Sequence, residues 1–379
     1  MAERNTQFLQ DAQALQGELK AWRRELHQHP ELGFDLAFTK AFVKARLEEM
    51  GYQPVECGKA GLTVLAGKSA KKSVLIRGDM DALPIQEEAD VPYCSLTPGK
   101  MHACGHDMHS AVLFGVLQRL KREGGLEGTI FGLFQPAEEC NPGGAAGVLA
   151  EKPFEGYDVA AVIGAHVEAG MAVGTFGFRA GEFMAANDEV RFTVQGKGGH
   201  AAMRERLTDP VIAAAELILR ISALNSEVCT ISTGRVIADG ATNVIPDEVR
   251  TEGTMRTFDE EIRRRAKRTI AKTAAETDAR HGTRTIVDID EGYPCVVNDP
   301  WLTETARRLA AKHFKAVDLP RRATSEDFGR YGLLYPSLFY RFGVGEDSGA
   351  THTPYFAPDE RAIDAGIDFM SMLVAKIIS

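Results

Sequence analysis

Between Met101 and His109 the chain reads MHACGHDMH, so one thiol, three imidazoles and a carboxylate share one short segment. An apolar helical pattern follows from about His106 to Lys121, which puts these polar groups at a helix N-terminus. A lone histidine there is most often a satisfied structural group or part of a capping loop. A Cys-Gly-His flanked by further His and Asp has a second reading, because thiolate and imidazole both bind divalent metals. Glu138-Glu139 close an apolar run from Ile130 to Phe134. Two adjacent carboxylates at a core edge repel unless a cation or a proton lies between them. His166 closes a third apolar run, Val159 to Ile163. Taken together, Cys104, His106, Glu138, Glu139 and His166 make a metal site a better hypothesis than a solvated loop.

The elements that must hold these groups are legible in the pattern. Val74 to Ile76 leads into Arg77-Gly78-Asp79-Met80-Asp81, and the Ile130 and Val159 runs follow with the His106 helix between them. Strand–helix–strand alternation predicts an α/β fold, a mostly parallel sheet with helices on its faces. Ligands gather at the carboxyl ends of such strands, where Asp81, Glu138-Glu139 and His166 stand. Earlier, Phe8, Leu15, Leu19, Trp22 and Leu26 fall at helical spacings before Pro30, and a second helix is expected from about Asp35 to Met50. Past Arg179 the pattern changes. A strand through Val190, Phe192 and Val194 precedes a helix capped by Thr208 or Asp209, strands near Cys229 to Ile237 and Arg250 to Thr257, a charged helix from Asp259, and a strand near Thr285 to Ile289. That β-α-β-β-α-β order is ferredoxin-like. The expected organisation is a domain of residues 1–183 and 293–379, with 184–292 inserted.

Composition sets the outer bounds. A chain of 379 residues fits two domains, or three, at roughly 150 residues each. Its net charge of −9 argues against a nucleic-acid partner. The N-terminus lacks an apolar secretory core, and no run approaches the roughly 18 apolar residues of a membrane span. A cytoplasmic location is the expectation, and the six cysteines, none in C-x-x-C spacing, are expected to be reduced. Other motifs fail. Gly61 to Ser69 has one residue too many for a phosphate-binding loop, G-x-S-x-G is absent, and no glutamate follows His102 to make H-E-x-x-H.

MHACGHDMH, FQPAEE and the GAH before Val167 resemble the metallo-amidohydrolases that include hippurate hydrolases, aminoacylases and plant auxin-conjugate hydrolases. Paired-metal glutamate and dipeptide carboxypeptidases are more distant relatives. The resemblance covers nearly the whole chain, through RRELHQHPELGF, GDMDALPIQEE, GKGGHAA, TNVIPDE, TSEDFG and THTP. It implies one or two divalent ions (zinc, manganese or cobalt) held by Cys104, His106, Glu139, His166 and His352. It implies Glu138 as general base and Asp81 as the residue that orients a ligand. The insert is implied to be a lid that makes a homodimer, with His200 stabilising the oxyanion and Asn243 and Arg256 holding the substrate's carboxylate or the oxyanion. The implied reaction is hydrolysis of the amide of a small N-acyl amino acid. The alternatives are a dipeptidase or metallocarboxypeptidase of the same family and, more remotely, a non-catalytic metal-binding protein. The sequence departs from the family at three places. Asp79 stands where the carboxypeptidase branch has a histidine, Arg204-Glu205-Arg206 follow the His200 motif, and Asn141-Pro142-Gly143-Gly144 follow the acidic pair.

Overall fold

The computed structural model describes residues 17–67, 72–122 and 128–379. Two compact units divide the chain. One takes the residues up to Gly181 with Val297–Pro320 and Asp327–Ser379, and the other takes Glu182–Val296 with Arg321–Glu326.

The first unit is built on an eight-stranded sheet. Its order is Val55–Cys57, Gly61–Gly67, Thr129–Gln135, Lys72–Asp79, Asp158–Glu168, Ser337–Gly343, Thr175–Phe178 and Lys315–Asp318. The four middle strands, from Thr129–Gln135 to Ser337–Gly343, run parallel, as the alternation predicts. Antiparallel neighbours flank them on both sides. Strands covered on both faces read as continuous apolar runs, and Thr129–Gln135 and Ser337–Gly343 are buried throughout. The His106–Arg122 helix is buried on every side from His106 to Leu117. It lies close against the C-terminal helix Arg361–Ile378, because a Cβ on Gly115 would come within 2.1 Å of Ile367 Cδ1. Trp22, on a helix over 17–28, packs edge-on to Phe114 with ring centroids 5.2 Å apart. The expected apolar positions Phe8 and Leu15 lie outside the described residues. Gly61–Gly67 is a sheet strand, not a phosphate loop, and Lys68 and Ser69 lie outside the described residues.

The second unit has the ferredoxin-like order. Its sheet runs Cys229–Ile237, Glu248–Thr257, Ala186–Gln195, Arg284–Glu291, with every neighbouring pair antiparallel. The helices Pro210–Ser222 and Glu260–His281 cover one face, and Val190, Phe192, Val194, Leu217 and Ile270 form the core between. Asp209 starts the first helix, accepting hydrogen bonds from the Val211 and Ile212 N–H groups ahead of Pro210.

Candidate metal centre

The middle strands of the first unit end at one edge, and their carboxyl ends deliver the chemistry. Lys72–Asp79 leads to Asp81, Thr129–Gln135 leads to Glu138 and Glu139, and His166 lies near the end of Asp158–Glu168. The loop before the His106 helix brings Cys104. His352 comes from the loop before the last helix, and its N–H donates to Ala103 O at 2.8 Å.

Cys104 Sγ lies 3.3 Å from His166 Nε2 and 3.2 Å from His352 Nε2. Glu139 Oε1 is 3.3 Å from His352 Nε2 and 3.8 Å from His106 Nε2, and Glu138 Oε2 is 3.9 Å from the same His106 atom. Two groupings share the thiol: Cys104 with His106 and His166, and Cys104 with Glu139 and His352. A tetrahedral zinc holds sulfur at about 2.3 Å and nitrogen or oxygen at about 2.0–2.2 Å, so its ligand atoms lie roughly 3.3–3.6 Å apart. The Cys104 contacts with His166 and His352 and the Glu139 contact with His352, at 3.2–3.3 Å, lie close to that range, while those from His106 Nε2, at 3.8 and 3.9 Å, are longer. His106 Nε2 and Glu139 Oε1 are buried and make no hydrogen bond, which is unusual for polar atoms in a core. A cation between them would satisfy both.

Charge points the same way. Burial works to lower the basicity of His106, but Asp79, Asp81 and Glu139 outweigh it and push the imidazole up to about 10. In a pocket of carboxylates the ring carries the positive charge that the site demands. Burial, with Glu139 and Glu138 nearby, pushes the Cys104 thiol well above its ordinary range. A thiolate there requires a cation beside it. His166 is held neutral, first by burial and then by Arg341. Its Nδ1 donates to Val167 O at 2.8 Å, which leaves the Nε2 lone pair facing Cys104.

Asp81 organises the acidic pair. Its two oxygens accept the backbone N–H groups of Glu138 at 2.9 Å and Glu139 at 3.0 Å, and Oδ1 stands 3.4 Å from His106 Nδ1. One buried carboxylate thus fixes the backbone of both glutamates and lies against the His106 ring. Two residues beside the cluster have left-handed backbone, Ala137 with φ 56° and His352 with φ 61°. Such strain in non-glycine residues concentrates at functional sites. Gly105 explains the glycine of Cys-Gly-His. Its φ is +84°, and a Cβ there would stand 2.8 Å from Val167 Cγ2.

The other two imidazoles of MHACGHDMH have different fates. His109 spends both nitrogens, donating from Nδ1 to Asp79 Oδ1 at 2.6 Å and accepting the Val167 N–H on Nε2 at 2.9 Å. His102 is buried, and burial pushes it down to about 3, so it is neutral. Asp79, Arg77 and His109 were not singled out as site residues from the sequence. The signal is there: Arg77 and Asp79 alternate at the end of a strand with an apolar centre, which places them on one face.

The remaining three candidates belong to the second unit. His200 pairs with Val244 in a short antiparallel ladder, and the Ala201 N–H donates to Asn243 O at 2.9 Å, so His200 and Asn243 share one small substructure. His200 is exposed. Arg256, half-buried on Glu248–Thr257, donates to Ser325 Oγ at 2.9 Å.

Comparison with known proteins bears on this arrangement. Residues 75–376 match the model of peptidase family M20/M25/M40. An N-acetyl-L-cysteine deacetylase of Bacillus subtilis is 37% identical over 92% of this chain and 85% of its own length. An N-acetyldiaminopimelate deacetylase of Bacillus cytotoxicus is 32% identical over 93% of this chain and 96% of its own. Among solved structures, a Bacillus subtilis protein described as a dinuclear metal binding peptidase from the M20 family superposes with a TM-score of 0.86 at 32% identity, covering 97% of this chain and 99% of that one. The match spans the strand ends and both loops that assemble the thiol, imidazole and carboxylate cluster, and the chain belongs to peptidase family M20/M25/M40.

Proposed function

We propose that this protein hydrolyses the amide bond of small N-acyl amino acids, releasing a carboxylic acid and a free amino acid, with one or two divalent ions as cofactor. The observation that carries this reading is the meeting of Cys104, His106, Glu139, His166 and His352 around unsatisfied buried atoms, with the Glu138 carboxylate beside them. The deacetylase relatives support the substrate class.

Cys104, His106, Glu139, His166 and His352 would hold the ions, and the mixed sulfur, nitrogen and oxygen set accepts zinc, manganese or cobalt. A divalent ion there supplies Lewis acidity, polarising the amide carbonyl and acidifying a water toward neutrality. Glu138 takes the proton of the attacking water and delivers it to the leaving amine nitrogen. Asp81 keeps that carboxylate aimed by gripping the backbone on which it stands. His200 donates to the oxyanion, and Asn243 and Arg256 hold the substrate's carboxylate or the oxyanion. A donor at the oxyanion is typically worth about 10²–10³ in turnover.

The proposal extends to a cytoplasmic homodimer in which residues 184–292 act as lid and dimerisation domain. No helix among the described residues is long and apolar enough to cross a membrane. Exposed Ile212 and Leu219 on the helix Pro210–Ser222 supply an apolar face for a second copy.

A panel of N-acetyl and N-benzoyl amino acids and dipeptides, assayed for released amine after loading with each metal, tests the substrate class. N-acyl amino acids are expected to be cleaved with higher kcat/KM than any dipeptide. Preference for dipeptides would overturn this assignment in favour of a peptidase.

A further inference from the structure

One group of buried charges is not used by the chemistry above. Arg77, Asp79 and Asp327 are wholly buried in the first unit. Arg77 spans both acids, donating through Nη1 to Asp79 Oδ2 at 2.5 Å and through Nη2 to Asp327 Oδ1 at 2.8 Å. Its Nε donates to Gln135 Oε1 at 3.2 Å, and Gln135 Nε2 contacts both Asp327 oxygens at 2.9 and 2.8 Å. Asp327 Oδ2 also accepts the Ala145 N–H at 3.0 Å. Burying two carboxylates and a guanidinium is expensive unless every partner is in place, and hydrophobic residues would fill the same volume at lower cost. A network retained under that penalty invites a role beyond stability.

We propose that the Arg77–Asp79–Asp327 triad positions the metal centre and that Asp79 is not itself a ligand. The inference rests on the divalent-ion reading of the Cys104 cluster. A continuous path of hydrogen bonds leads from the triad to that cluster. Asp327 holds Arg77, Arg77 holds Asp79 Oδ2, Asp79 Oδ1 holds His109 Nδ1, and His109 Nε2 holds the Val167 N–H. Val167 O in turn takes the Nδ1 proton of His166, the ring that faces Cys104. The triad therefore ties the ends of three neighbouring strands and fixes the residue next to a ligand.

Asp79, His106 and His109 could form a metal group by proximity alone. Bonding argues against it. His109 has no lone pair left, and the Arg77 charge lies against the Asp79 oxygen that faces His106 at 3.7 Å. A cation would be repelled at that position.

The test is zinc binding by calorimetry and chelator competition on the full chain. Asp79→Asn keeps the shape but sets an amide N–H group against Arg77 or His109, and Arg77→Met removes the bridge. Both are expected to bind as many zinc ions as wild type with about 10- to 100-fold weaker affinity, the usual cost of losing an outer partner. Tyr52→Phe removes a buried bond to Leu117 O, outside the network, and is expected to leave affinity unchanged whatever its melting temperature. If Arg77→Met does not fold, Asp79→Asn carries the test. Fewer bound ions in Asp79→Asn would make Asp79 a ligand and overturn the proposal. So would wild-type affinity in Asp79→Asn with only a lower melting temperature. A wild-type chain that binds no divalent ion would overturn the metal-centre reading beneath it, an outcome distinct from either.

Discussion

Glu138→Gln is expected to lower kcat by about 10²–10⁴ while the protein keeps its wild-type metal content. Glutamine matches the size of glutamate but cannot accept a proton from water at neutral pH. The two groupings that share the Cys104 thiol, with His106 and His166 and with Glu139 and His352, are complete without it. The bond from the Glu138 N–H to Asp81 Oδ1 is made by the backbone and survives the substitution. Steady-state kinetics together with metal analysis of the dialysed protein read both halves of the expectation. Turnover within a few-fold of wild type would remove Glu138 as the base. Loss of metal along with turnover would make it a ligand.

Cys104→Ala gives the opposite pattern. The thiol belongs both to the grouping with His106 and His166 and to the grouping with Glu139 and His352, so its removal weakens both. Metal affinity is expected to fall by more than about 100-fold, beyond the range for outer partners, and activity falls with it. The apoprotein loses one buried heavy atom and is expected to be destabilised by only about 1 kcal/mol. Chelator competition and urea unfolding of the apo form separate ligand loss from unfolding. Unchanged affinity would exclude the thiol from the centre.

Much of this site was legible because its residues end apolar runs. Alternating strands and helices imply a parallel sheet, and that topology alone collects Asp81, Glu138, Glu139 and His166 at one edge. The MHACGHDMH segment adds Cys104 and His106 at the start of a helix that the sheet must bury. What stayed hidden has physical causes. The order of residues cannot show which histidine nitrogens are already spent. His109 follows His106 by one helical turn and has the same chemistry, yet Asp79 and Val167 occupy both its nitrogens. Arg77 and Asp327 are 250 positions apart, and no local pattern pairs them. Thr175–Phe178 and Lys315–Asp318 have only four residues each, too few for a strand period to emerge. The left-handed backbone at Ala137 and His352 breaks the usual rule that such positions take glycine, so no residue type announced it.

The most direct measurement is the release of amino acid from an N-acetyl amino acid panel by metal-stripped protein titrated with zinc, manganese or cobalt. Hydrolysis is expected to be absent at the start, to rise with added metal, and to saturate at one or two equivalents per chain. Full activity in the stripped protein, or no release of amine from any substrate with any of the three metals, would contradict a metal-dependent amide hydrolase.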